Sequence, residues 1–224
     1  MGGGPGELLL YLVTEETPDA ENEEEEREEE APEQRTQILM HYQGTFKNNQ
    51  LDSYGSLTTE TQLYNGHFRE NKKSGSGKIT VKTDSGKDYD YEGIWEADQM
   101  QGPGTLTDHV SCTHFVGQMH ANKKDHGILK LPNGDEYHGK FDPETQEFTD
   151  YSEMKLQNGN RYQGEFKSGK MEGQGVMRYK NGDKFTGRFE DGHPKEGEML
   201  YMDMDERYTG EFAKNAVQEG QGMF

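Results

Sequence analysis

Residues 162–184 read YQGEFKSGKMEGQGVMRYKNGDK, and the fold follows from them. Tyr162, Gly164 and Phe166 alternate with Gln163 and Glu165, the period-2 pattern of a half-buried strand with both rings on one face. A helix would also bring aromatics at i and i+4 together, but a glycine between them costs about 1 kcal/mol there. A strand instead uses such a glycine for close approach of a neighbour. Past Phe166, Gly169 and the pair Gly173-x-Gly175 mark a loop into a second alternating run, Val176 to Tyr179. Asn181-Gly182 then signals a tight hairpin of type I′, in which both central residues take positive φ, and the next strand opens with Phe185.

The same aromatic-x-Gly-x-aromatic unit starts at Tyr42, Tyr64, Tyr91, Phe115, Tyr137, Tyr162, Phe185 and Tyr208, at spacings of 22 to 27 residues, with Met119 replacing the second ring in the fourth copy. A fixed period in this range means a stacked array in which no copy buries its apolar face alone. Asn133-Gly134 and Asn158-Gly159 precede Tyr137 and Tyr162, so the connections between copies are hairpins too. The fold class is therefore all-β: an elongated, single-layer, twisted antiparallel meander of about eight hairpin repeats. At about 4.8 Å per strand, eight copies extend about 75 to 80 Å. With 29% AVILMFWYC the core is thin and mainly aromatic.

Several copies depart from the pattern. The first has Ser53 in place of the first glycine of the pair, the fourth keeps only Gly127 and the seventh only Gly197. The fifth has no pair. FDPETQEFTDYSEMK, residues 141–155, replaces it and is expected as an acidic loop, either a tolerated surface insertion or a bend that meets a partner. The third copy lacks Asn-Gly and has DHVSCTH, residues 108–114, before Phe115.

Tyr-x-Gly-x-Phe followed by Gly-x-Gly with an apolar residue, then Asn-Gly, resembles the MORN repeat (membrane occupation and recognition nexus) over about 42–224. The resemblance implies an elongated antiparallel sheet used in scaffolding, protein binding and, in some members, membrane association. It also implies the settings of such arrays: ciliary and flagellar axonemes, cell-division and cytoskeletal structures, and accessory segments of lipid kinases and a lysine methyltransferase.

Residues 1–36 are expected to form a tail and 37–224 the array. Residues 15–33 hold twelve acidic residues and one arginine, a net of −11 out of −19 for the chain, with no aromatics. Such a block cannot bury enough apolar surface to offset its ordering entropy and is expected to be disordered, as a solvated spacer or as an acidic docking arm for a basic partner. The apolar run from Leu8 to Val13 is too short to span a membrane and lacks the basic start of a signal peptide. It is a candidate for docking onto the array or a partner. Gly2 does not complete a myristoylation pattern, because position 6 is Gly6 rather than Ser or Thr. Cys112 is the single cysteine, which fits a cytoplasmic protein.

No nucleophile elbow, P-loop, dinucleotide fingerprint or His-Glu-x-x-His is present, so no catalytic residue, cofactor or metal site is assigned. His109, Cys112 and His114 lack the paired spacing of a zinc site and read as exposed loop residues. Outside residues 15–33 the chain still carries a net of −8, which disfavours nucleic acid and puts an anionic membrane at a disadvantage. Lys72, Lys73 and Lys78, with Lys123 and Lys124, are the dense basic clusters and the candidate lipid contacts.

The leading functional expectation is a non-enzymatic scaffold whose ring-lined face binds a helix or extended segment of a partner protein. The candidate contacts are Tyr64, Phe68, Tyr91, Trp95, Tyr137, Phe141, Tyr162, Phe166, Phe185, Phe189, Tyr208 and Phe212, because aromatic anchors dominate interface energetics. Two other readings stay open: a phosphoinositide or membrane module, and the regulatory segment of a larger enzyme. The chain stops at Phe224, inside the eighth copy, and the strand edge left there is expected to be capped by a partner or by a second copy, unless the sequence is a fragment of a longer one.

Overall fold

The computed structural model describes residues 4–15, 34–83 and 86–212, which form one open antiparallel sheet of sixteen strands in chain order. The first eight are β1 (Gly4–Glu15), β2 (Gln34–Lys47), β3 (Gln50–Thr59), β4 (Gln62–Arg69), β5 (Lys72–Thr83), β6 (Gly86–Glu96), β7 (Gln99–Asp108) and β8 (Thr113–His120). They are followed by β9 (Lys123–Lys130), β10 (Glu136–Phe141), β11 (Phe148–Lys155), β12 (Arg161–Lys167), β13 (Lys170–Arg178), β14 (Lys184–Glu190), β15 (His193–Tyr201) and β16 (Glu206–Glu211). No described residue is helical.

The sheet starts earlier than the sequence suggests. Gly4–Glu15 pairs with Gln34–Lys47 over their length, so the apolar run is a strand of the sheet and the expected boundary at residue 37 falls inside β2. The signal is present in the chain: Gly4-Pro5-Gly6 has the form of Gly102-Pro103-Gly104 in β7, and Gly6 stands opposite Gly44 as Gly104 stands opposite Gly93. The acidic residues 16–33 and the segment after Phe212 lie outside the described residues.

A single row of small residues organises the array. Glycines pair strand to strand from Gly6 through Gly44, Gly55, Gly66, Gly77, Gly93, Gly104, Gly117 and Gly127 to Gly139. Ser152 takes the next place, and the row resumes from Gly164 to Gly210. A side chain at Gly164 would stand 2.6 Å from the Gly175 backbone and against the Tyr162 ring. The missing side chains are thus the space into which each repeat's first ring folds. The ring row beside it alternates aromatic and aliphatic residues, for example Tyr64, Ile79, Tyr91, Leu106 and Phe115. Edge-to-face contacts link it to the second ring of the same and the next copy, as in Tyr42–Phe68 at 5.3 Å and Tyr162–Phe189 at 4.7 Å.

The turns fall elsewhere than expected. Type I′ geometry occurs between the two strands of one repeat, where both residues of Asn48-Asn49, Glu70-Asn71, Ala97-Asp98, Ala121-Asn122, Ser168-Gly169 and Asp191-Gly192 take positive φ. At Asn181-Gly182 only the glycine does, at 98°. The Gly182 N–H donates to the Tyr179 carbonyl at 3.0 Å and the Tyr179 N–H to the Asp183 carbonyl at 2.9 Å, making a three-residue loop with a glycine bulge. Both long edges are clipped from repeat to repeat. On one, the Leu51, Lys73 and Met100 N–H groups donate to the side chains of Asn71, Asp98 and Asn122 at 2.7 to 2.8 Å. On the other, Gln157, Lys180 and Met202 N–H groups reach Asp135, Asn160 and Asp183 at 2.8 to 3.0 Å.

The fifth copy is repaired rather than interrupted. The turn over 142–147 is folded around Asp142, and β11 continues the sheet with Asp150 (φ 59°) and Ser152 in the places of the glycine pair. Phe148 stacks on Tyr137 with centroids 4.0 Å apart, and the Tyr137 hydroxyl donates to Ser152 Oγ at 2.9 Å.

Candidate interaction surface

The two faces of the sheet differ in what they offer. The ring-bearing face holds the residues expected to bind a partner: Tyr64, Tyr91, Tyr137, Tyr162, Phe185 and Phe189 are fully buried, Phe68, Trp95, Phe141, Phe166 and Phe212 are 4 to 7% exposed, and Tyr208 is half-buried. Each lies against its repeat's glycines and its neighbours' rings. They form the core of the array, so a partner cannot use them as inserted anchors, and this corrects the expected contact set.

The lysines proposed for lipid also have other occupations. Lys73 Nζ sits 5.3 Å from the Trp95 ring centroid and 5.6 Å from that of Tyr64, and Lys124 Nζ sits 5.8 Å from that of Phe141. In register both take the place filled by Met100 and Met171 in other copies, Lys73 opposite the second ring Phe68 and Lys124 opposite Met119, which replaces that ring. Burial lowers the pKa of each, opposed by Asp98 beside Lys73 and Asp108 beside Lys124. Lys123 Nζ donates to the Pro143 carbonyl at 2.6 Å, while Lys72 is exposed.

His109 and His114 are engaged separately. His109 Nε2 lies 2.8 Å from Asp90 and His114 Nδ1 lies 3.0 Å from Thr107 Oγ1, while Cys112 is exposed with φ 53°. Among the described residues no three metal-type side chains converge.

The ring-free face is the accessible one. Tyr54 is 59% exposed and Tyr151 62%, with Ile94, Val116 and Ile128 also open to solvent. Val116 and Ile128 are direct cross-strand neighbours, and Tyr54 packs edge-to-face on His67 at 5.4 Å. Two shallow depressions follow the glycine row on this side, one over Gly44 and Gly55 and one over Gly77 and Gly93, with Tyr54 lining both. The sequence hides this surface because its apolar members are single residues between polar neighbours, and only the register gathers them.

A family model described as MORN repeat matches residues 42–61, 64–80, 91–111 and 162–184. The copies it passes over include the fifth, where Ser152 replaces a glycine, and the fourth and seventh, which keep one glycine of the pair. A comparison with curated proteins finds no match.

Proposed function

We propose, for a chain that is a MORN-repeat protein, that it is a non-catalytic scaffold holding a segment of a partner protein against the ring-free face of its sheet. The observation that carries this reading is the exposure of Tyr54, Ile94, Val116, Ile128 and Tyr151 on one face while the ring ladder is closed on the other. Tyrosine with scattered aliphatic neighbours on a rigid sheet gives contact area at low ordering cost. The family's arrays act as scaffolds for proteins or membranes, and its ciliary, flagellar and cytoskeletal members supply the setting proposed here, within the cytoplasm. A photo-crosslinking residue placed at Tyr54 or Tyr151 in cells is expected to trap a discrete partner. Binding of that partner, once purified, should drop when Tyr54→Ser and Ile94→Ser are combined. Crosslinks confined to the two long edges, or binding untouched by the double variant, would remove the ring-free face from the function.

A further inference from the structure

The ring-free face carries a second feature that only the register reveals. Lys155 stands opposite Arg161, Arg161 opposite Arg178, and Arg178 opposite Lys184, so four basic side chains sit in one unbroken row across β11 to β14. Strand spacing puts each about 4.8 Å from the next. Like charges placed directly opposite each other destabilise a sheet. Lys155 has Glu136 at 3.8 Å, but among the described residues Arg161, Arg178 and Lys184 have no carboxylate within ion-pair distance. In the adjoining row on the same face Gln163, Val176 and Thr186 stand beside them, and the acids of that row, Glu153 and Glu198, lie at its two ends on β11 and β15. A chain of net charge −19 thus concentrates uncompensated positive charge on one line.

The strongest complement to that line is in the chain itself. Residues 15–33 hold twelve acidic residues and one arginine. They join β1 to β2, and Glu15 pairs with Gln34 on the same side of the glycine row as the basic line. We infer that the basic row receives the acidic segment of a second copy of this chain. Within one chain, β2 and β12 are ten strands apart, about 48 Å along the sheet. Residues 16–33, fixed at both ends, reach out about 30 Å. Two copies running antiparallel about a two-fold axis place each acidic segment on the other's basic row and close the assembly at two. This inference rests on charge and not on the apolar partner surface, and the Tyr54→Ser, Ile94→Ser variant, on β3 and β6, leaves the basic row of β11 to β14 intact, so the two can fail separately.

The test is sedimentation velocity of the full chain over a concentration series, at low salt and at physiological salt. A monomer–dimer equilibrium is expected that weakens as salt rises. Neutralising the row (Arg161→Gln, Arg178→Gln and Lys184→Gln together) should weaken dimerisation about tenfold or more, with the far-ultraviolet spectrum retained and Tm unchanged or raised, because all three side chains lie outside the core and their mutual repulsion is removed. Replacing Glu23 to Glu26 and Glu28 to Glu30 by Gln should do the same. A mixture of the two variants keeps one complementary contact and should form heterodimers that neither forms alone. A labelled peptide of residues 15–33 should bind the full chain and lose that binding with the row variant. A strictly monomeric full chain, or dimers indifferent to the row variant, overturns the inference. So does a row that holds phosphatidylserine vesicles but not the peptide, since the occupant is then a lipid surface.

Discussion

The Tyr162 hydroxyl donates to the Glu165 carbonyl at 2.9 Å, and Glu165 is the residue that the register of β12 with β13 skips. The same relationship holds for Tyr42 with Thr45, Tyr64 with His67 and Tyr91 with Ile94, at 3.0 to 3.1 Å, each acceptor again being the skipped residue. The two described copies that begin with Phe are built otherwise. Gln118 stays opposite His126 and Arg188 opposite Glu196, so no residue of the first strand is skipped. Their second strands are one residue shorter at the bulge and keep a single glycine. The identity of the first ring and the number of glycines downstream are therefore one structural choice: a wide bulge needs a hydroxyl to serve its carbonyl, and a narrow one does not.

From this relationship, Tyr162→Phe should destabilise the sheet by about 1 kcal/mol, the cost of a lost hydrogen bond that is partly buried. Phe185→Tyr should also destabilise, by about 1 to 3 kcal/mol, because the new hydroxyl enters a buried position with no skipped carbonyl to meet. Urea-unfolding midpoints of the two single variants check both. A stabilising Phe185→Tyr would break the proposed link between ring and bulge.

Glycine substitutions should split into two classes. A methyl group at Gly164 meets the Tyr162 ring and the Gly175 backbone, neither of which can retreat without opening the glycine row. Gly164→Ala is expected to cost about 3 kcal/mol or more. Gly192 has open space around it, and its φ of 83° is the sole obstacle, so Gly192→Ala should cost about 1 to 2 kcal/mol. Thermal unfolding of both variants, followed by circular dichroism, gives the order. Equal losses would mean that backbone strain, and not the packing of the ring against the row, governs these positions.

The sheet and its period are legible in the chain because rings and glycines recur in a spacing that only stacked hairpins satisfy. Turn positions are not, since Glu70, Ala97 and Ala121 occupy positive-φ sites that carry no local signal and are imposed by the two-residue connection between paired strands. The role of the aromatics is misread for a related reason. Twenty-three aromatic residues look like a surplus over a thin core until the register shows first rings such as Tyr64 and Tyr162 laid on glycine pairs and second rings such as Phe68 and Phe189 packed against the first ring of the preceding repeat. The ring-free surface is invisible in the same way: Arg161 and Arg178 are 17 residues apart and Arg178 and Lys184 are 6 apart, and they become neighbours solely through strand pairing.

Alkaline pH should unfold the array through its tyrosines. Burial raises the pKa of Tyr42, Tyr64, Tyr91, Tyr137 and Tyr162 above the ordinary value near 10. Above that pH the unfolded chain loses phenolic protons that the folded chain retains, so the unfolded state binds fewer protons and stability falls as pH rises. Lys73 and Lys124 act in the opposite sense, since their lowered values let stability grow with pH up to the ordinary lysine value of 10.5, but they are two groups against seven tyrosines, because burial also raises the pKa of Tyr89 and Tyr179. Phenolate absorbance of the buried rings should therefore appear in one cooperative step together with loss of the strand signal. Independent titration of these rings near pH 10, with the sheet intact, would contradict their burial.

Replacing Lys124 by Met provides a separate test of how the ring-bearing face is built. Met100 and Met171 already occupy the matching register position in other copies, so the substitution places a side chain that the site accepts. The change forfeits a cation–π contact with Phe141 worth about 0.5 to 1 kcal/mol. It also removes the desolvation cost that holds the Lys124 pKa down, and adds apolar contact with the rings. The expected outcome is an unchanged or higher Tm for Lys124→Met, whereas Lys72→Met, at the exposed first residue of β5, should leave Tm unmoved. Binding to phosphoinositide vesicles should be the same for Lys124→Met and the native chain if this lysine belongs to the ladder. A marked loss of vesicle binding with an unaltered Tm would return Lys124 to the lipid-contact set and assign the ring-bearing face a surface role.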